Sequence, residues 1–111
     1  MKAAVPLLLL ALSGIAAPGL AADAGTAAVD QLGRLNGIAL ACQQPAIASR
    51  ARNSVQTTAP KTRAIGEVFE QATSGAFLAQ GKGLSCPDTA TLASRLEAAE
   101  KDLQTAFPAP R

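Results

Sequence analysis

The chain is 111 residues long, with ten Lys and Arg against eight Asp and Glu, a formal net charge of +2, and no His, Trp or Tyr. Without imidazole it lacks the usual general base and the commonest metal ligand, which excludes Ser-His and Cys-His nucleophile pairs, haem attachment through Cys-x-x-Cys-His, and histidine-bearing copper or di-iron sites. The near-neutral charge balance argues against general nucleic-acid binding, and together these absences predict a non-enzymatic protein with no cofactor.

The first element is a leader. Lys2 precedes an apolar run centred on Leu7 to Leu12, followed by Pro18-Gly19 and the small-residue segment Ala21-Ala22-Asp23-Ala24, the three zones of a secretory signal peptide. A spanning helix needs roughly 20 continuous apolar residues, and Pro6, Ser13-Gly14 and Pro18 interrupt this run. Cleavage after Ala22 divides the chain into a signal peptide, 1–22, and a single helical domain, 23–111; cleavage after Ala24 is the alternative. The first cysteine is Cys42, far from either cleavage point, so no lipid anchor is expected, and the Ala-rich, Lys-poor composition points to the bacterial periplasm. The mature chain of about 90 residues is close to the size at which one core is marginally stable, so an added staple helps.

Four helices follow in the hydrophobic pattern, with no alternation of period two. Thr26 is the expected N-cap of the first, which places Ala28, Val29, Leu32, Leu35, Ala39 and Cys42 at helical spacing and runs to about Gln43. Pro45 suits the first turn of the second, with Ile47, Ala51 and Val55 at intervals of four. Thr57-Thr58-Ala59-Pro60 breaks the pattern, because the residue before a proline is pushed out of the α region, and Thr58 is a candidate cap for the third helix. That helix carries Ile65, Val68, Phe69, Ala72, Ala76 and Ala79 as a core stripe and ends at Gly81-Lys82-Gly83. Ser85-Cys86-Pro87-Asp88 starts the fourth, with proline and carboxylate in its first turn. Leu92, Leu96, Ala99, Leu103 and Ala106 then form a seam, Glu97 and Lys101 an i,i+4 pair, and Phe107-Pro108-Ala109-Pro110 the stop.

Short connections make consecutive helices antiparallel neighbours, so the expected fold is all-α, a small up-down-up-down bundle of about four helices. Cys42 at the end of the first helix and Cys86 at the start of the fourth then fall at the same end of the bundle, and an even pair in an oxidising compartment reads as a structural disulfide. Closing a loop of about 45 residues restricts the unfolded chain by about 4 kcal/mol in the loop-entropy account.

Several groups are candidates for function. No carboxylate occurs between Asp30 and Glu67, while Arg50, Arg52, Lys61 and Arg63 all lie there. This basic segment reads either as a site for an anionic partner, displayed by the adjoining turn, or as a solvated face complementing the acidic fourth helix. Glu67 with Glu70, and Glu97 with Glu100, are spaced three apart, but no histidine completes a metal motif and a solvated face is the expectation. Gly33, Gly37 and Ala41 form a small-residue stripe that admits a neighbouring helix closely.

Two cysteines in a small helical exported chain resemble the layout of the acid-stress chaperones of enteric bacteria, which also carry one long-range disulfide. The tryptophan expected beside the first cysteine is missing, and no functional residue is carried over. The reading is a periplasmic interaction protein, either an accessory subunit or a small chaperone-like binder, with a protein partner of unidentified class. The alternative is a thiol-disulfide redox protein using Cys42 and Cys86, although dithiol oxidoreductases normally place their pair as Cys-x-x-Cys.

Overall fold

The structure is a computed structural model and describes residues 20–109. The expected leader lies outside the described residues, apart from its last three, which already belong to the first helix. Four α-helices make up the fold: α1 (Leu20–Ala41), α2 (Pro45–Thr58), α3 (Arg63–Gly81) and α4 (Thr89–Ala106), with no strand among the described residues.

Helix α1 begins earlier than its sequence signal. Thr26 lies inside it rather than capping it, because Ala21, Ala22, Ala24, Ala27 and Ala28 are the best helix formers, no proline interrupts them, and Gly25, the one poor helix former in the run, is covered by the Phe107 ring. It ends at Ala41, with Gln43 in the left-handed region at φ 58°. The Gln44 amide donates to the Ala39 carbonyl at 2.8 Å and the Gln43 amide to that of Leu40 at 3.4 Å, a Schellman closure in which glutamine occupies the position glycine usually takes. Pro45 then opens α2 at once, as expected.

The caps of the last two helices differ from expectation in detail. Thr58 is the last residue of α2, and the α3 cap is Thr62, whose hydroxyl accepts from the Ile65 amide at 3.2 Å. Pro60 sets that boundary two residues before the cap. Gly83, at φ +101°, closes the far end of α3. Residues 84–88 are irregular, so Pro87 and Asp88 stand outside α4. Asp88 is its N-cap and accepts from the Thr91 amide at 2.8 Å, and this backbone bond holds the Asp88 carboxyl below its usual range.

Helix directions alternate as expected. Gly33 faces Phe69 and Ala72, and Gly37 faces Thr73, Ala76 and Phe77, so α3 runs with α1. Helix α4 runs against α1, joined to it at one end through Cys42–Cys86 and packed at the other where Phe107 covers Gly25. The neighbours are not those of a square bundle: α1 packs against all three other helices, α2 packs against α4, and the α3 backbone comes close to neither α2 nor α4.

Two faces of α1 explain this arrangement. Val29, Leu32, Leu35 and Ala39 build the core with Ile47, Ala51 and Val55 of α2 and Leu92, Leu96 and Leu103 of α4. The adjoining face carries Gly33 and Gly37, and a β-carbon at Gly33 would lie 2.7 Å from the Phe69 carbonyl oxygen. The missing side chains let the α3 backbone approach closely, with Ala72, Thr73 and Ala76 as its facing residues. Because α3 has one neighbour, its expected core stripe is only partly covered: Ile65, Val68, Phe69, Ala72 and Ala76 are half-buried and Ala79 is exposed.

Candidate functional site

The four basic residues do not converge on one patch. Arg50 and Arg52 are two positions apart, which turns them to different sides of α2. Arg50 faces α4, where its guanidinium donates twice to Glu100, at 2.7 and 3.1 Å, and Ser54 donates its hydroxyl to the same carboxylate. Arg52 faces the other way and donates to the Asn36 side-chain oxygen at 3.5 Å. Lys61 donates to the Gln56 carbonyl at 2.7 Å, and Arg63 pairs with Glu67 at 3.1 Å. At Arg50, the acidic fourth helix answers the basic segment.

The hydrogen bond from Arg50 holds the Glu100 carboxyl below its ordinary range against the opposing effect of partial burial. A carboxyl depressed in the folded state contributes stability that is full above its unfolded pKa, roughly 4.3, and is lost as pH falls through the folded value. Glu100→Gln should therefore lower stability at neutral pH by about 0.5–1 kcal/mol, Arg50 being half exposed and screened. The variant's difference from the parent should shrink toward pH 3, which chemical denaturation at a series of pH values measures.

The remaining carboxylates form no cluster. Glu67 is held by Arg63, Asp30 pairs with Arg34 at 2.7 Å, and Glu70 and Glu97 are exposed. The expected Glu97–Lys101 pair is not among the ion pairs of the described residues. No group of three acidic or cysteine side chains among the described residues is placed to hold a metal.

Cys42 and Cys86 form the expected disulfide, with Cα atoms 5.7 Å apart. Two glutamines organise its surroundings. Gln80, buried at the end of α3, donates through its side-chain amide to the carbonyls of Leu84 and Ser85, both at 3.0 Å, and lies 3.8 Å from Cys86 Sγ. Gln44 donates to the Pro87 carbonyl at 3.2 Å and accepts from the Thr89 hydroxyl at 2.9 Å. Both lie beside a chain reversal, at Gln43 and at Gly83, and their proximity to a break is the only sequence signal they carry.

A second polar group sits where α1, α2 and α3 meet. Asn36 is 3% exposed and donates to the Thr73 hydroxyl at 3.1 Å, which itself donates to the Gly33 carbonyl at 3.1 Å. Asn36 lies four residues after Leu32 and three before Ala39, on the apolar side of α1. An amide at that register position is a legible signal of a buried polar contact.

Four large apolar side chains remain in solvent: Leu40 at 44%, Phe77 at 45%, Leu84 at 61% and Leu78 at 63% exposure. All four belong to the end of the bundle that carries the disulfide, because α1 and α3 run together and finish there. Among the described residues no helix is long and apolar enough to cross a membrane. Comparison with family models, with curated proteins and with solved structures finds no match to the chain.

Proposed function

We propose that the protein is a non-enzymatic interaction protein of the periplasm, exported by a cleaved leader and acting as an accessory subunit or small chaperone-like binder. One observation carries this reading. The core among α1, α2 and α4 is closed by its own leucines, yet Leu40, Phe77, Leu78 and Leu84 stay exposed together at the disulfide end. Apolar side chains gathered at one end of a small domain mark a contact surface, and the absence of histidine from the chain supports a role in contact rather than chemistry.

Photo-crosslinking from positions 78 and 84 in the periplasm tests it directly. The expected result is a discrete partner band that falls tenfold or more when Phe77 and Leu40 are both replaced by Asp. Equal labelling before and after that replacement, or labelling no stronger than from the opposite end at Gln104, overturns the reading.

A second reading, thiol-disulfide exchange, has one observation in its favour: Cys86 is exposed, with the Gln80 amide beside its sulfur. Equilibration of the native protein in glutathione buffers separates the two. The interaction reading expects a potential below roughly −300 mV, the range of structural bridges, while a readily exchanged bridge favours redox function.

A further inference from the structure

Helices α2 and α3 both pack on α1 but not on each other, which leaves a groove between them floored by α1. Asn36 fixes its position, since Arg52 of α2 and Thr73 of α3 both bond to it. Leu40 lies four residues beyond Asn36, and Phe77 four beyond Thr73, so each continues the same face by one helical turn toward the disulfide end. Both are nearly half exposed. The groove thus presents a cation at one level and two large apolar side chains at the next.

Charge selects the occupant. Helix α2 contains no carboxylate, and neither does the turn from Ala59 to Thr62. Arg34, Arg50 and Arg63 each pair with an acidic side chain, whereas among the described residues Arg52 makes no ion pair and donates to the Asn36 amide oxygen at 3.5 Å. An exposed guanidinium steadied by a buried amide is suited to receive a carboxylate through two parallel N–H donors. Nucleic acid is disfavoured because its affinity depends on neutralising many phosphates. A flat bilayer surface is disfavoured because the floor of the groove lies between two helices.

We propose that the groove between α2 and α3 binds an acidic, amphipathic peptide segment of a partner protein, with a partner carboxylate on Arg52 and apolar partner side chains over Leu40 and Phe77. This rests on the reading of the protein as an interaction module and names the partner's chemistry. Glu70, three residues before Thr73 on α3, is exposed and opposes an acidic ligand. It sets an internal check on the sign of the interaction.

The test is selection of peptides from a random displayed library on the immobilised mature domain, followed by fluorescence titration of the enriched peptides. Enriched sequences should carry Asp or Glu three or four residues from Leu, Ile or Phe. Arg52→Glu and Phe77→Asp should each weaken binding tenfold or more, Glu70→Gln should tighten it by a factor of about two to three, and Gln104→Ala, exposed at the opposite end of the bundle, should leave it unchanged. Arg52→Gln, which retains an uncharged hydrogen-bond donor, should fall between the parent and Arg52→Glu and lose most of the salt dependence. Enrichment of basic or uncharged peptides, binding indifferent to Arg52→Glu and Phe77→Asp, no enrichment at all, or preference for phosphatidylglycerol vesicles over peptides overturns the proposal. If partner crosslinking from positions 78 and 84 survives such a result, only the groove assignment falls; if crosslinking is also lost, the interaction reading falls with it.

Discussion

Gly37→Leu should detach α3 from the rest of the domain. A side chain there meets the Thr73 carbonyl oxygen, the Phe77 amide nitrogen 2.9 Å from the new β-carbon, and the Ala76 β-carbon at 3.0 Å. Two of these are backbone atoms, which cannot rotate aside as a flexible side-chain tip does, so α3 must move as a body. Overpacking in such places costs about 1–3 kcal/mol and sometimes more. Here the cost is not shared, because α3 has no other helix to lean on. The expected loss is about 3 kcal/mol, or a melting temperature lower by roughly 12–24 °C for a domain of this size. Gly75→Ala supplies the contrast. It lies on α3 itself with open space around it, so removing backbone freedom should stabilise by about 0.5–1 kcal/mol. Hydrogen exchange locates the effect: in Gly37→Leu the amides of α3 should lose protection first, while those around Leu32, Leu92 and Leu96 keep theirs. Uniform loss across all four helices, or no loss, would show that the glycine contact does not hold α3.

That contact also shows why the sequence pattern gives the helices but not all of their neighbours. Periodicity reports which side of a helix is apolar, and for α2 and α4 it is sufficient: Ile47, Ala51, Val55, Leu92, Leu96, Ala99 and Leu103 are all buried. For α3 the same signal overstates burial, since Ile65, Val68 and Phe69 cover only the flank of α1. The glycine stripe in α1 carries the missing information, marking where a second backbone comes close, but it does not name the helix that fills the space. A square bundle assigns each helix two antiparallel neighbours, whereas here α1 and α3 lie together in parallel and α1 becomes the centre.

The candidate site was legible in part. Composition shows that residues 31–66 hold no carboxylate, but a linear run does not distinguish the sides of a helix. Arg50 and Arg52 are separated by two positions, and that alone sends one to Glu100 and the other to Asn36. Thr62, Gln44 and Gln80 act at chain breaks through side-chain bonds to backbone or neighbouring side chains, and such bonds depend on where distant segments arrive. The exposed apolar end is likewise invisible to periodicity, because Leu78 and Leu84 are ordinary leucines until α3 is found to have one neighbour.

Replacing both Cys42 and Cys86 by Ser should lower stability by about 2–5 kcal/mol, the usual loss for a small exported domain. The bridge spans 44 positions and joins the residue just after α1 to the approach to α4, so it closes the whole of α2 and α3 into one loop. In the unfolded chain that closure removes entropy worth about 4 kcal/mol, a large part of the roughly 5–15 kcal/mol that holds a domain together. In the folded chain the same junction is also held by Gln44, through Pro87 and Thr89. The two links are therefore coupled: Gln44→Ala should cost little while the disulfide keeps residues 86–89 in place, and distinctly more in the Ser variant, a difference of about 0.5–1 kcal/mol for contacting groups. Denaturant titration of the four proteins measures it. If the double Ser variant melts within a degree or two of the parent, the disulfide does not staple the bundle, and the core of Leu35, Ala39, Leu92 and Leu96 holds that end closed by itself.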